Sequence, residues 1–264
     1  MPATSTFQVS LTDMAHSARR AVAGWWGILR LSASLLETAL TPSAYGRQNQ
    51  HALARHVVDD VAPVLAGFTV LTALVSLIVI RIVVVTALSY GLTQYALEMV
   101  VRVLVLELIP LTAALFAALR CTIPNAVEVA ALRARHGWAA SARDPLRSEV
   151  LPRVASGVFS ALLLAAVSCA VTLVLAYVSV YGPVSSGLEA YTRTVGQIFN
   201  PGVSMIFGLK ILFLGLAVAL VPMAAALDDA PRVRRSTSAE VQGLVRMFLV
   251  ILLIEAASLV GNYY

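Results

Sequence analysis

The chain has 264 residues, of which 59% are hydrophobic and only 12% are charged. Soluble domains are nearer about 45–50% apolar, so this composition excludes an ordinary soluble domain and indicates a polytopic membrane protein. The net charge of +5 comes almost wholly from arginine, since Lys210 is the only lysine, and the arginines cluster in particular loops. This distribution is typical of membrane topology and argues against nucleic-acid binding.

The N-terminal region predicts a helix that lies in the membrane interface. Over residues 11–40, apolar positions recur at helical spacing among arginines, and Trp25 and Trp26 favour the headgroup level. A cytoplasmic amphipathic helix is the alternative. The first apolar stretch contains Arg30 and does not resemble a cleavable signal peptide, so we expect a cytoplasmic N-terminus. Residues 41–60 predict a polar connection.

The apolar runs that follow predict about five transmembrane helices. The first run, 61–88, is interrupted only by Arg81. A bilayer core needs about 20 helical residues, so this run is either one long tilted span or partly a hairpin. The other four spans are predicted over about Tyr95 to Cys121, Val154 to Tyr181, Val203 to Leu227 and Leu244 to Val260. The predicted fold class is therefore an all-α integral membrane protein with an N-terminal interfacial helix.

The loop arginines predict an orientation, because positive residues stay on the cytoplasmic side. The loops after the second and fourth spans carry Arg133, Arg135, Arg143, Arg147, Arg232, Arg234 and Arg235. The opposite loop 182–202 carries only Arg193. We therefore expect this loop and the C-terminus on the periplasmic side.

Charged residues inside the predicted spans are the first candidates for a site, because such a charge costs roughly 2.5 to 3.5 kcal/mol at the helix centre. Glu98 and Arg102 are four residues apart and predict a salt bridge on one helix face. Glu107, Lys210 and Glu255 predict either pairing between helices or a polar cavity. A proton relay is less favoured, since no membrane-embedded histidine accompanies them.

The polar segment 122–152 is a candidate contact with a cytoplasmic partner, and an ordinary solvated loop is the alternative. Its first part predicts a short amphipathic helix that ends near Gly137. The residues predicted to couple to such a partner are Glu128, Leu132, Arg133 and Arg135.

The sequence lacks the common catalytic signatures. It contains no G-x-x-x-x-G-K-[ST] phosphate loop, no G-x-S-x-G turn, no H-E-x-x-H and no cysteine–histidine constellation. Cys121 and Cys169 are expected to be small buried residues. We therefore predict no catalytic residue, no metal site and no cofactor in this chain, and an energy source in a partner or an ion gradient.

Several short motifs follow one another in a fixed order. They are Tyr90-Gly91, Glu107 with Ile109-Pro110, Arg120, Glu128, Asp144-Pro145, Pro152-Arg153, Gly208 with Lys210 and Gly215, and Glu255. With these motifs, about residues 60–264 resemble the MlaE/YrbE family, the permease subunits of ABC transporters that work with MCE-domain proteins to move lipids between bacterial membranes. Leu106 and Ile109 replace the family's arginine and glycine, which indicates a divergent member.

The resemblance implies an organisation and a set of partners. Residues 61–264 would form the permease domain, and two permease copies, identical or not, would form an outward-open lipid pocket beneath the MCE assembly. Residues at the positions of Glu107 and Lys210 line or support that pocket in the family, and ATP and magnesium would bind a separate cytoplasmic ABC ATPase. The expected function is transport of phospholipid or a related lipid between the bacterial inner and outer membranes, by a multi-pass protein of the inner membrane. The alternatives are an ion- or proton-coupled secondary transporter and a non-transporting scaffold subunit.

Overall fold

Helices make up nearly all of the part of the chain that the structure describes. The computed structural model describes residues 25–35, 37–38, 47–92, 95–137, 143–227 and 237–263, and these contain no strand. The helices are α1 (25–35), α2 (Arg47–Ser89), α3 (Ala96–His136), α4 (Leu146–Tyr181), α5 (Leu188–Ile198), α6 (Pro201–Leu227) and α7 (Thr237–Tyr263). The predicted all-α fold is confirmed.

Five of these helices, α2, α3, α4, α6 and α7, are long and apolar enough to cross a membrane. The predicted number of spans is therefore confirmed for the described residues. The run 61–88 forms one span, because α2 is continuous through it. Residues 47–60, predicted as part of a polar connection, belong to the same helix, and they include good helix formers such as glutamine, alanine and arginine.

α3 extends well beyond its predicted end. The prediction placed a boundary near Cys121 and a separate short helix after it, but the helix continues without a break to His136. Gly137 ends it in the left-handed conformation, at φ 67°, and donates its N–H to Arg133 O. The predicted end near Gly137 is confirmed. A helix of 41 residues is roughly 60 Å long, about twice the hydrocarbon thickness, so one part of α3 projects beyond the membrane.

Three prolines follow π-helical turns without breaking their helices, whereas Pro63 and Pro222 lie within regular α-helix. Proline has no N–H, and its ring crowds the carbonyl four residues earlier, which a wider π-helical turn relieves. In α3, for example, the N–H of Ile109 bonds to Leu104 O, five residues back. The π-helical segments are Val101–Leu108, Ala118–Thr122 and Leu146–Val150, and they precede Pro110, Pro124 and Pro152.

α4 packs against α2, α3 and α6 at the centre of the bundle, and many of its buried residues are small or carry a hydroxyl group. Its residues Ser156, Ser160, Ser168 and Thr172 are each 0% exposed. Thr172 Oγ1 and Ser76 Oγ of α2 are hydrogen-bonded at 2.9 Å. Nearby, Thr122 Oγ1 of α3 donates to Val218 O of α6 at 2.8 Å. Small residues and hydroxyl groups allow close helix packing where lipid removes the hydrophobic driving force.

One end of the bundle is covered by α1. Leu31 and Leu35 are buried in a cluster with Val129 of α3 and Leu227 of α6, while Trp26 is 69% exposed. This arrangement agrees with the predicted amphipathic helix, and its placement at a membrane surface stays a prediction. Residues 11–24 of the predicted helix lie outside the described residues.

The segment 182–202 connects two spans, as predicted, but it contains the helix α5, which the prediction missed. Gly182, Pro183 and Gly187 mark the end of α4 and the entry to α5, and they obscured the amphipathic residues that follow. Tyr191 Oη of α5 donates to Leu173 O of α4 at 2.9 Å, and burial raises the pKa of Tyr191.

The close approach of α4 to α3 and α6 predicts that Gly157→Ala is destabilising. A Cβ at Gly157 would lie 2.5 Å from Thr122 Cγ2 and 3.3 Å from Ala219 Cβ. Thr122 cannot rotate away without losing its bond to Val218 O. We expect a loss of about 1–3 kcal/mol, measured as a lower thermal unfolding temperature in detergent.

Gly67→Ala is the matched control, because nothing lies within 4 Å of a Cβ at this exposed position of α2. It should leave stability unchanged or raise it by about 0.5–1 kcal/mol. Equal unfolding temperatures for the two variants would contradict the packing described here.

Candidate functional site

Lys210 lies inside the bundle, on α6, and is 2% exposed. Its Nζ contacts three oxygens: Leu106 O at 3.1 Å, Glu255 Oε2 at 2.6 Å and Glu107 Oε2. An ammonium group has three N–H donors. Every donor of this buried lysine is therefore matched by an acceptor.

The Leu106 carbonyl is available because of Pro110. In a regular α-helix the N–H four residues later would bond to this carbonyl, but residue 110 is a proline and has no N–H. Lys210 Nζ donates to it instead. The proline thus exposes a backbone acceptor beside Glu107, and the lysine of another helix uses it.

Glu107, Lys210 and Glu255 form what we call the triad. They come from α3, α6 and α7, so the pairing between helices that was one of the two predictions is present. The carboxylates are largely shielded, with 17% of the Glu107 side chain and 16% of the Glu255 side chain exposed. The Oε1 atom of each is buried and has no hydrogen-bond partner. Such an ion cluster holds three helices in one register.

Glu98 and Arg102 are not part of the triad. They form the predicted pair along α3, with Arg102 Nε 2.9 Å from Glu98 Oε1. Their side chains are 39% and 36% exposed, and a pair of this kind contributes little, about 0–1 kcal/mol. Glu98 lies roughly 13 Å along the helix from Glu107.

A second charged cluster ties α3 to α4, away from the triad. Arg153 of α4 is 5% exposed, and its Nη1 lies 2.6 Å from Glu149 Oε2. Its Nη2 lies 3.1 Å from Glu128 Oε1 of α3. We call these three residues the clamp. Beside it, Arg133 Nη1 donates to Leu227 O, the last described residue of α6, at 2.6 Å.

The predicted coupling residues therefore differ in what they contact. Glu128 and Arg133 hold α3 against its neighbours, and Leu132 is half-buried. Arg135 is exposed and remains the most direct candidate for contact with a partner. The predicted basic residues Arg232, Arg234 and Arg235 lie outside the described residues.

Sequence reasoning used Arg153 as a motif residue but missed its role in the clamp. Its spacing of four from Glu149 was the available signal. Ser258 was also missed: it is 6% exposed, and its Oγ has no hydrogen-bond partner. Its position three residues after Glu255 places both on one face of α7.

No group of three or more histidine, cysteine, aspartate or glutamate residues able to hold a metal ion occurs among the described residues. Cys121 and Cys169 are buried, as predicted, and are not disulfide-bonded.

Comparison with known proteins identifies one family. A family model described as Permease MlaE matches residues 53–260, which is most of the chain. No curated protein matches the chain.

The triad predicts that removing the Lys210 cation destabilises the protein far more than removing the Arg102 cation. Lys210→Met leaves two buried carboxylates without their counter-ion, and breaking a buried pair in this way costs about 3–5 kcal/mol. We expect a clear fall in the thermal unfolding temperature of the detergent-purified protein. Arg102→Met, which removes a cation from the exposed pair, is the control and should cost about 0–1 kcal/mol. A similar effect of both substitutions would argue against a stabilising triad.

Proposed function

Because the chain belongs to the MlaE permease family, we propose that it is the permease subunit of an ABC transporter that moves phospholipid or a related lipid between the bacterial inner and outer membranes. ATP and magnesium bind a separate cytoplasmic ABC ATPase, and an MCE-domain protein continues the lipid path on the periplasmic side. A second permease copy completes the transmembrane unit.

The observation that carries this proposal is the triad. A bundle that only anchored other proteins would gain little from burying three ionisable groups, because taking charges out of water costs several kcal/mol per ion. Charged residues inside membrane spans usually mark transport pathways or moving parts. Here they join α3, α6 and α7, so helices that separate during transport would break and remake these contacts.

The contacts of Lys210 define its role in such a cycle. All three N–H donors of Lys210 are already used by oxygens of the protein. A lipid phosphate would therefore have to displace a carboxylate to reach the ammonium group. The lysine therefore acts first as the ion that holds Glu107 and Glu255 in place. Binding of an anionic headgroup belongs to a state in which α7 or α3 has moved.

The ATPase docks at the end of the bundle where α3 projects. This end carries Arg133, Arg135 and Arg147, whereas α5 at the opposite end carries Arg193. Since positive residues stay inside, the projecting end is cytoplasmic and α5 is periplasmic. The long amphipathic end of α3 is held against α4 by the clamp, so it offers a rigid docking surface for the ATPase.

Lipid transfer by the assembled transporter tests the proposal. In vesicles that contain the chain with its ATPase and MCE-domain partners, we expect ATP-dependent transfer of labelled phospholipid to acceptor vesicles. Glu107→Ala removes one acceptor of Lys210 and should lower the transfer rate at least tenfold. Glu189→Ala, in the exposed pair with Arg193 on α5, is the control and should transfer at the wild-type rate.

Each contrary outcome favours one rival. Wild-type transfer by Glu107→Ala in an intact complex would favour a scaffold subunit. Transfer that persists without the ATPase and depends on an ion gradient would favour a secondary transporter.

The ATPase contact gives a separate prediction. Arg135→Glu reverses the charge of an exposed residue near the end of α3, and we expect it to lower the amount of ATPase that co-purifies with the chain. Arg193→Glu, an exposed arginine at the opposite end, should leave co-purification unchanged. Arg133 is a poorer choice, because its bond to Leu227 O makes it structural as well. Normal ATPase recovery with Arg135→Glu would exclude this residue from the contact.

A further inference from the structure

The triad contains more acceptors than donors. Lys210 supplies three N–H groups, and all are used by Leu106 O and by one oxygen of each carboxylate. Glu107 Oε1 and Glu255 Oε1 are left buried without a donor. A buried acceptor without a partner is destabilising, and more so where it is charged.

The charge of the triad is also unbalanced. With both carboxyl groups ionised, two negative charges face one positive charge, which leaves a net charge of −1 in a low-dielectric interior. Both carboxylates contact the same Lys210 Nζ, so their Oε2 atoms are no farther apart than about twice a hydrogen-bond length. Like charges held in one low-dielectric site repel each other, and one shared proton removes that repulsion.

The surrounding helices supply no other charge that would correct this imbalance. α4 carries no charged residue between Arg153 and Tyr181. The other charged side chains on the packed spans lie away from the triad: Glu98 and Arg102 pair with each other, Arg120 and Arg246 lie toward the clamp end, and Arg81 of α2 is exposed.

A further row of polar groups leads from the triad to the end of α7. Ser258 and Asn262 follow Glu255 at three and seven residues, so they lie on the same helix face. Ser258 is only 6% exposed, and neither its Oγ nor Asn262 Oδ1 has a hydrogen-bond partner. Buried polar atoms of this kind are commonly satisfied by water.

We propose that the triad is a proton-binding site: Glu107 and Glu255 share one proton taken from water at the end of α7, along a hydrated path past Ser258 and Asn262. The bound proton supplies the missing donor and makes the triad electrically neutral. It is bound in the closed arrangement and would be released when α7 separates from α3. The proposal does not depend on the identity of the transported lipid.

Infrared spectroscopy of the full-length protein in lipid nanodiscs tests the bound proton. At neutral pH we expect the carbonyl band of a protonated carboxylic acid, which is distinct from carboxylate bands. Glu107→Gln and Glu255→Gln should each abolish it, because the single remaining carboxylate then pairs ionised with Lys210. Glu98→Gln, in the exposed pair, should leave it in place. Absence of the band in the wild-type protein, or its survival in both triad variants, would overturn the proposal.

Unfolding temperatures give a second readout that a purely structural role would not produce. An uncharged amide replaces a protonated carboxyl group with little loss, so each single glutamine variant should unfold near the wild-type temperature. The double variant leaves Lys210 without a counter-ion and should unfold well below it. A saturable rise in wild-type stability with sodium or potassium, without the acid band, would identify a metal cation in place of the proton and overturn the proposal.

The path is tested by the rate at which the acid band shifts after transfer to heavy water. Ser258→Val and Asn262→Leu should slow the shift several-fold, whereas Thr194→Val on exposed α5 should not. An unchanged rate in both path variants would exclude access along this face of α7.

Discussion

The whole arrangement depends on one buried ammonium group. Lys210 is tolerated in an apolar bundle because two other helices present three oxygens to it. α3 contributes Leu106 O and Glu107 Oε2, and α7 contributes Glu255 Oε2. Sliding any of these helices by one turn, about 5.4 Å, would separate the charges and leave them unpaired. The triad therefore sets the register of α3, α6 and α7 more strictly than their apolar surfaces do, since aliphatic side chains repack at low cost.

The rest of the bundle makes this geometry possible by bringing backbones close together. α4 presents serine, threonine, glycine and alanine to its neighbours, and Ser160 Oγ donates to Ser156 O of the same helix at 2.8 Å. On the outside of the bundle, exposed leucine, valine and isoleucine of α2 and α7 meet lipid. Close packing and the ion cluster support each other, because a wider gap would admit water and weaken the charge pairing.

Much of this could be predicted from the sequence, and the failures have physical causes. Long runs of mostly apolar residues predicted the five spans, and the cost of a mid-membrane charge identified Glu107, Lys210 and Glu255. The pairing itself depends on tertiary contacts between α3, α6 and α7, which spacing along the chain does not encode. The continuity of α3 was missed because Pro124 usually marks a boundary, whereas here a π-helical turn accommodates it.

The same π-helical turn bears on how movement passes along α3. Glu107 and Glu128 lie on this one helix, roughly 30 Å apart, with Ala118–Thr122 between them. A π-helical turn holds one extra residue, so its conversion to α-helical geometry would rotate everything beyond it by about 100°. Thr122 Oγ1 opposes that conversion by bonding to Val218 O of α6. While this bond holds, a displacement at the clamp would move α3 and α6 together, and the triad contact that would then yield is the one between Lys210 and Glu255 of α7.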